Sequence, residues 1–179
     1  MVQPNSYKSC IMTKDSEPTF LVDVTSKPIF VLIKGHANFH NCSPLKTFFR
    51  IMLENRIVEF RLDFTDCLGM DSTFLGILAG AAIDTRQLSP PGEIQLIGLT
   101  DRNLDLIKNL GLHRIVTLIE NPLSADAQDT IDLVGLEKEN GSEAQQKEIL
   151  IDAHENLGKI DESNRSKFED LLTILKNAE

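Results

Sequence analysis

Apolar and polar positions alternate in short runs along the first two-thirds of the chain, and the period of the runs changes as they go. Thr19–Val24 (TFLVDV) and Pro28–Lys34 (PIFVLIK) are rich in β-branched and aromatic residues, and Thr25-Ser26-Lys27 joins them, which predicts a hairpin. After a loop opened by Gly35, Ser43-Pro44 suits a helix start, and Leu45, Phe48, Phe49, Met52 and Leu53 follow at helical spacing. In Ile57–Phe64 (IVEFRLDF), Val58, Phe60 and Leu62 alternate with Glu59, Arg61 and Asp63, the pattern of a strand with one buried face. The loop TDCLGM leads into Asp71-Ser72-Thr73 and a helix over FLGILAGAAIDTRQL, which Pro90-Pro91-Gly92 stops. Glu93–Gly98 reads as a strand. Thr100-Asp101 caps a short helix with Leu104, Ile107 and Leu110 turned inward, Gly111 ends it, and Ile115–Ile119 is a last strand.

The predicted order over residues 19–119 is therefore β-β-α-β-α-β-α-β. Alternating strands and helices require crossover connections, so the fold class is α/β, a mixed and mainly parallel sheet with helices packed on it and an antiparallel hairpin at its edge. Beyond residue 120 the pattern loosens. Ile131, Leu133, Val134 and Leu136 form a short stripe; Ile149, Leu150, Ala153 and Leu157 fit one helix face, as do Phe168, Leu171, Leu172 and Leu175. Three regions result: a flexible arm over 1–18, an α/β domain over 19–120, and a helical extension of two or three helices over 121–179.

Charge sharpens that boundary. Residues 1–120 hold 12 Lys+Arg against 13 Asp+Glu, whereas residues 121–179 hold 6 against 14, so most of the net charge of -9 lies in the extension. So acidic a chain repels phosphate backbones and anionic lipid, which argues against nucleic acid or membrane as a direct partner. Cys10, Cys42 and Cys67 are odd in number and lack CxxC spacing, so they read as reduced thiols. No apolar stretch of signal-peptide length opens the chain, and the longest apolar run, Phe74 to Ile83, is about half a membrane span. A cytoplasmic location is expected.

The chemistry concentrates at Asp71-Ser72-Thr73. These residues stand where the loop after a parallel strand enters a helix, the edge of an α/β sheet where ligands and partners dock. The helix start offers free N–H groups and the positive end of the dipole, so a phosphate on Ser72 would be held by backbone alone. It would add roughly -1.5 to -2 charges beside Asp71, with Asp63 and Asp66 as candidate neighbours, and would repel a partner docked there. The plainer reading is that Asp, Ser and Thr, the preferred N-cap types, merely start a helix.

Val58–Gly76, VEFRLDFTDCLGMDSTFLG, resembles the STAS domain of bacterial anti-sigma factor antagonists. That family has an apolar strand ending at an Asp, a short loop, an apolar residue, then Asp-Ser-Ser/Thr-Gly-Leu-Gly. Asp63, Met70, Asp71, Ser72, Thr73, Leu75 and Gly76 fall in register with it without a gap. Ile29–Gly35 resembles the family's earlier strand ending in Gly, and Ile94–Leu112 its later strand and helix with a Gly-Leu ending. The resemblance spans roughly residues 19–120. It implies Ser72 as the phosphoacceptor of an anti-sigma factor that is a serine kinase, reset by a metal-dependent serine phosphatase. It also implies a partner surface of Asp71, Ser72, Thr73, Phe74, Asn38 and Phe39. Phe74 stands where the family usually has Gly, either as an anchor on the docking surface or, the preferred reading, as a core residue. The loop with His36, Asn38, Phe39 and His40 departs from the family's short polar-acidic segment, and residues 121–179 have no counterpart.

The remaining candidates read more plainly. His36, His40 and Cys42 lack a second cluster to complete a metal site, and Asp63, Asp66 and Asp71 lack the nucleophile and oxyanion donors of a catalytic cleft. No metal, cofactor or enzymatic activity is expected. Cys67 has no basic neighbour to activate it. Gly76, Ala79, Gly80, Ala81 and Ala82 give the helix a smooth side, suited to tight packing on the sheet. The stripe at Phe168–Leu175 packs on its own domain by default, or on a partner or second copy in a homodimer. Two further readings stand beside the switch: a constitutive scaffold in which Ser72 only caps its helix, and a nucleotide-binding domain, which lacks a glycine-rich phosphate loop.

Overall fold

A computed structural model describes residues 18–120, 132–137 and 141–177. The arm before Pro18, Cys10 and Ile131 lie outside them. The chain runs β1 (Phe20–Asp23), β2 (Ile29–Ile33), β3 (Gly35–Ala37), α1 (Ser43–Glu54), β4 (Glu59–Asp63), β5 (Cys67–Met70) and α2 (Ser72–Gln87). It continues through β6 (Glu93–Ile97), α3 (Asp101–Asn109), a single 3-10 turn at Leu112–Arg114, β7 (Thr117–Leu118), β8 (Val134–Gly135), α4 (Glu143–Ile160) and α5 (Glu162–Asn177). The α/β class read from the alternation is the one observed.

The main sheet has the order β7-β6-β4-β2-β1-β8. β2, β4, β6 and β7 are parallel, β1 is antiparallel to β2, and β8 is antiparallel to β1. Period-2 alternation does its expected work: Phe20 and Val22, Val31 and Ile33, Phe60 and Leu62, Ile94 and Leu96 are buried on one face. On the other face Arg61 Nε donates to Gln95 Oε1 at 3.0 Å, one register pair across the β4–β6 ladder. Phe49 of α1 meets Phe60 edge-on at 5.2 Å, and Phe74 of α2 stacks on Phe20 at 6.0 Å, so both helices cover the buried face.

Three features depart from the sequence reading. TDCLGM and the start of the Gly35 loop are not loops: Gly35–Ala37 and Cys67–Met70 pair in parallel as a small second sheet. Gly35 at φ +67° turns the chain from β2 into β3, a bend that L side chains disfavour. Strands this short carry too few residues to display a period. Second, Val134–Gly135, within the expected helical extension, is the edge strand that pairs with β1, leaving Leu136 buried. Third, the smooth side of α2 does not face the sheet alone. A Cβ at Gly76 would lie 2.2 Å from the Ala153 carbonyl oxygen, and one at Gly80 2.4 Å from Asn156 Nδ2, both on α4. Buried residues accordingly run without a break from Thr73 to Ala82, because α2 lies between the sheet and α4.

The helical hairpin of α4 and α5 starts with a capping box, Ser142 with Gln145. At its far corner the buried Asn164 donates to the carbonyls of Leu110 and Leu157, and Arg114 pairs with Asp161. Among the described residues, no helix is long and apolar enough to cross a membrane.

Candidate functional site: the start of helix α2

Asp71 is the N-cap of α2, with extended backbone (φ -106°, ψ 173°). One carboxylate oxygen accepts the Phe74 amide at 2.9 Å, satisfying a first-turn donor; the other accepts the Phe39 amide at 2.8 Å. A single side chain thereby starts the helix and ties the loop after β3 to it. That loop is ordered by its own amides: Asn38 N donates to Asn41 Oδ1 at 2.9 Å, His40 N to Asn38 Oδ1 at 2.9 Å, and Asn41 Nδ2 to the His36 carbonyl at 2.8 Å. The Asp71 amide completes the join by donating to the Ala37 carbonyl at 3.1 Å.

The structure thus brings Asp71, Ser72, Asn38 and Phe39 into one half-buried patch, with exposed His40 beside Phe39 at 5.3 Å between ring centroids. Thr73 and Phe74 are not on it. Both are buried, and the Phe74 ring, fully enclosed, stacks on Phe20 and meets Phe64 edge-on at 6.2 Å. Turning about 100° per residue, the helix aims its second and third positions into the core when the first is turned toward α4. Expected among the partner contacts, Thr73 and Phe74 instead lie in the core, where the preferred reading had already put Phe74. Leu68 on β5, just before the site, is 69% exposed and had no signal beyond being an odd apolar residue in a polar loop.

The acids do not gather around Ser72 as a cluster. Asp63 accepts the amide and hydroxyl of Thr65 at 2.8 and 2.6 Å, and Asp66 is exposed. Cys42 is buried one residue before α1, and burial, with Asp71 nearby, raises its thiol to about 12. Burial raises Cys67 as well. Among the described residues, no three His, Cys, Asp or Glu side chains are placed to hold a metal.

The residue that the sequence left unnoticed is His154. It is buried in α4, and its Nε2 lies 2.9 Å from Ser72 Oγ. Its Nδ1 lies 2.8 Å from the Leu150 carbonyl, which can only accept, so Nδ1 carries the proton. In the neutral ring Nε2 is then the acceptor, and the Ser72 hydroxyl donates to it. The Phe168 ring closes the back of the imidazole edge-on at 4.7 Å. The available signal was a histidine set between Leu150, Ala153 and Leu157 on an apolar helix face, opposite a helix with glycines four apart.

Fold and site together define an α/β domain with a serine directly after the N-cap of a buried helix. The chain is 29% identical over 90 residues to the anti-sigma-B factor antagonists of Listeria monocytogenes and Listeria innocua, covering 50% of this chain and 77% of each relative. It is similar to the bacterial anti-sigma factor antagonists that its Asp71-Ser72-Thr73 segment resembles. Among solved structures, the anti-sigma factor antagonist SpoIIAA in its unphosphorylated form aligns at TM-score 0.47 and 12% identity, over 57% of this chain and 88% of that one. No family profile matches the chain.

Proposed function

We propose that this protein is an anti-sigma factor antagonist, a cytoplasmic partner switch controlled by a phosphate on Ser72. The observation that carries the reading is the placement of Ser72 as first residue of α2, directly after an N-cap that also fixes the adjoining loop. A rigid helix start presents one hydroxyl in a defined position, and a phosphate there would meet the positive end of the helix dipole. It would also add roughly -1.5 to -2 charges beside the Asp71 carboxylate, enough to expel a partner that fitted the neutral serine. The relatives are named for antagonism of an anti-sigma factor, which supports an anti-sigma factor as the partner; with Ser72 as acceptor, that partner would be a serine kinase and a metal-dependent serine phosphatase would reset the switch. The chain itself acts by binding, without catalysis. Asn38, Phe39 and Asp71 are the residues beside Ser72 that such a partner would meet.

Intact mass of the protein from its native cell tests this directly. One phosphate that Ser72→Ala abolishes is expected, together with loss of anti-sigma factor binding in Ser72→Asp. A second reading rests on the Ser72–His154 hydrogen bond, which satisfies the hydroxyl within the fold and suits a constitutive binding module. Under it, no phosphate appears in growth or stress, and Ser72→Asp binds partners as wild type does.

A further inference from the structure

We propose that α4 is a latch in cis: seated on α2 with His154 accepting the Ser72 hydroxyl, it must lift before Ser72 can be phosphorylated. This rests on the reading of Ser72 as the acceptor. The hydroxyl that a kinase would need faces a buried imidazole 2.9 Å away. Ser72 itself is half-buried at the seam between α2 and α4, and Phe168 of α5 backs the imidazole that it meets. Transfer needs donor and acceptor oxygens aligned with the phosphorus between them, and α4 occupies one side of that approach to Ser72.

The seat is close, but few side chains of the hairpin are buried in it. α2 meets α4 through Gly76 and Gly80, and α4 answers with Ala153 and the side chain of Asn156, so small groups and polar ends form much of the contact. Of the eighteen residues of α4 only Ala153, His154 and Leu157 are buried, and of α5 only Asn164. Elements with few buried side chains open at lower free energy than core strands. The Lys46–Asp152 ion pair that joins α1 to α4 is partly solvent-exposed and adds little hold. The α4–α5 corner is fastened separately, to α3 and the turn after it, by Asn164 to Leu110 and Arg114 to Asp161, so α4 can swing about that corner.

The coupling runs both ways. If a seated α4 opposes phosphorylation, a phosphate on Ser72 opposes reseating to the same degree. The geometry agrees, since a phosphate on Ser72 would put a bulky charged group into the seam that the 2.9 Å contact with His154 now closes. The phosphorylated protein is thus the one with the hairpin released.

Hydrogen exchange on the full chain, with Ser72 phosphate occupancy measured in the native cell, tests the latch. Amides of Ile149–Leu157 are expected to exchange about tenfold or more faster than those of β4 and β6. His154→Ala is expected to speed them a further fivefold or so, without touching the strands, and to raise phosphate occupancy on Ser72. Gly76→Ala, which pushes on α4 from the other side, should do the same if His154→Ala fails to fold. Exchange of α4 in step with the strands in wild type and variants would overturn the latch. So would a loosened α4 with unchanged occupancy. An α4 that loosens while no protein, wild type or variant, ever carries phosphate would instead remove Ser72 as acceptor, and the gating with it.

Discussion

Two glycines four residues apart on α2 meet the same neighbouring helix, yet replacing each by alanine should give opposite results. A Cβ at Gly76 would stand 2.2, 2.5 and 2.7 Å from the carbonyl oxygen, carbonyl carbon and Cα of Ala153. These are backbone atoms of a helix and cannot yield singly; α4 as a whole has to move by more than about 1 Å to restore ordinary contact. Overpacking of this kind costs about 1–3 kcal/mol. The better helix propensity of alanine returns only about 0.5–1 kcal/mol. Gly76→Ala should therefore destabilise the protein by about 1–2 kcal/mol. At Gly80 the obstruction, at 2.4 Å, is Nδ2 at the tip of Asn156, which can rotate away into the groove beside it. There the propensity gain survives, and Gly80→Ala should be neutral or stabilising by up to about 0.5–1 kcal/mol. For a chain of this size each kcal/mol moves Tm by roughly 2–4 °C, so a difference of about 1–3 kcal/mol should separate the two melting points by roughly 2–12 °C. Thermal unfolding followed at 222 nm, backed by urea midpoints at unchanged m, reads the difference. Gly76→Ala melting at or above Gly80→Ala would refute the seating of α4 on α2 and the latch built upon it.

Asp71→Ala removes an N-cap and orphans the Phe39 amide as well, so it should cost about 1–3 kcal/mol by urea unfolding, with faster hydrogen exchange across residues 38–42. Asp71→Asn keeps one acceptor oxygen and should lose less than alanine; equal losses would argue against a capping role. At the α4–α5 corner the hydroxyl and amide of Ser163, and then Arg114, lower the Asp161 carboxyl from 3.8 to about 2. A carboxyl whose pKa is depressed on folding stabilises above its unfolded value and loses that contribution as pH falls through the folded one. The Asp161 share of stability should accordingly fade between pH 4 and pH 2, and Asp161→Asn should flatten the acid-unfolding curve in that window; a curve of unchanged steepness would contradict the pairing. Cys42 and Cys67 are buried with raised thiols, so alkylation followed by peptide mass should find both unmodified at neutral pH until the protein is unfolded.

Much of the molecule was legible along the chain. Each strand with a buried face shows it as alternation, in Val31 and Ile33, Phe60 and Leu62, Ile94 and Leu96, because a strand turns successive side chains to opposite faces. The helix starts at Asp71-Ser72 and Thr100-Asp101 were visible because capping is local chemistry, set within three or four residues, and the start at Ser43-Pro44 because proline suits the first helical turn, although no side chain caps it. The serine beside the cap stood out less by this chemistry, which alone favoured a plain helix start, than by the resemblance of Val58–Gly76 to anti-sigma factor antagonists. What stayed hidden depends on contacts between residues far apart in sequence. β3 and β5 exist only because Gly35 and Cys67 come to lie side by side, and β8 only because β1 needs a neighbour. Asp71 shows in sequence as a cap, but its second bond, to Phe39, joins residues 32 apart. The orientation of Phe74 toward Phe20 and of Gly76 toward Ala153 follows from α2 being covered on two sides, which its nearly uniform apolar sequence does not distinguish. Most consequential is the bond from Ser72 to His154, 82 residues apart, which no local pattern announces. Local periodicity and capping write themselves into neighbouring residues, whereas the choice of which helix lies over a reactive side chain is made by packing alone.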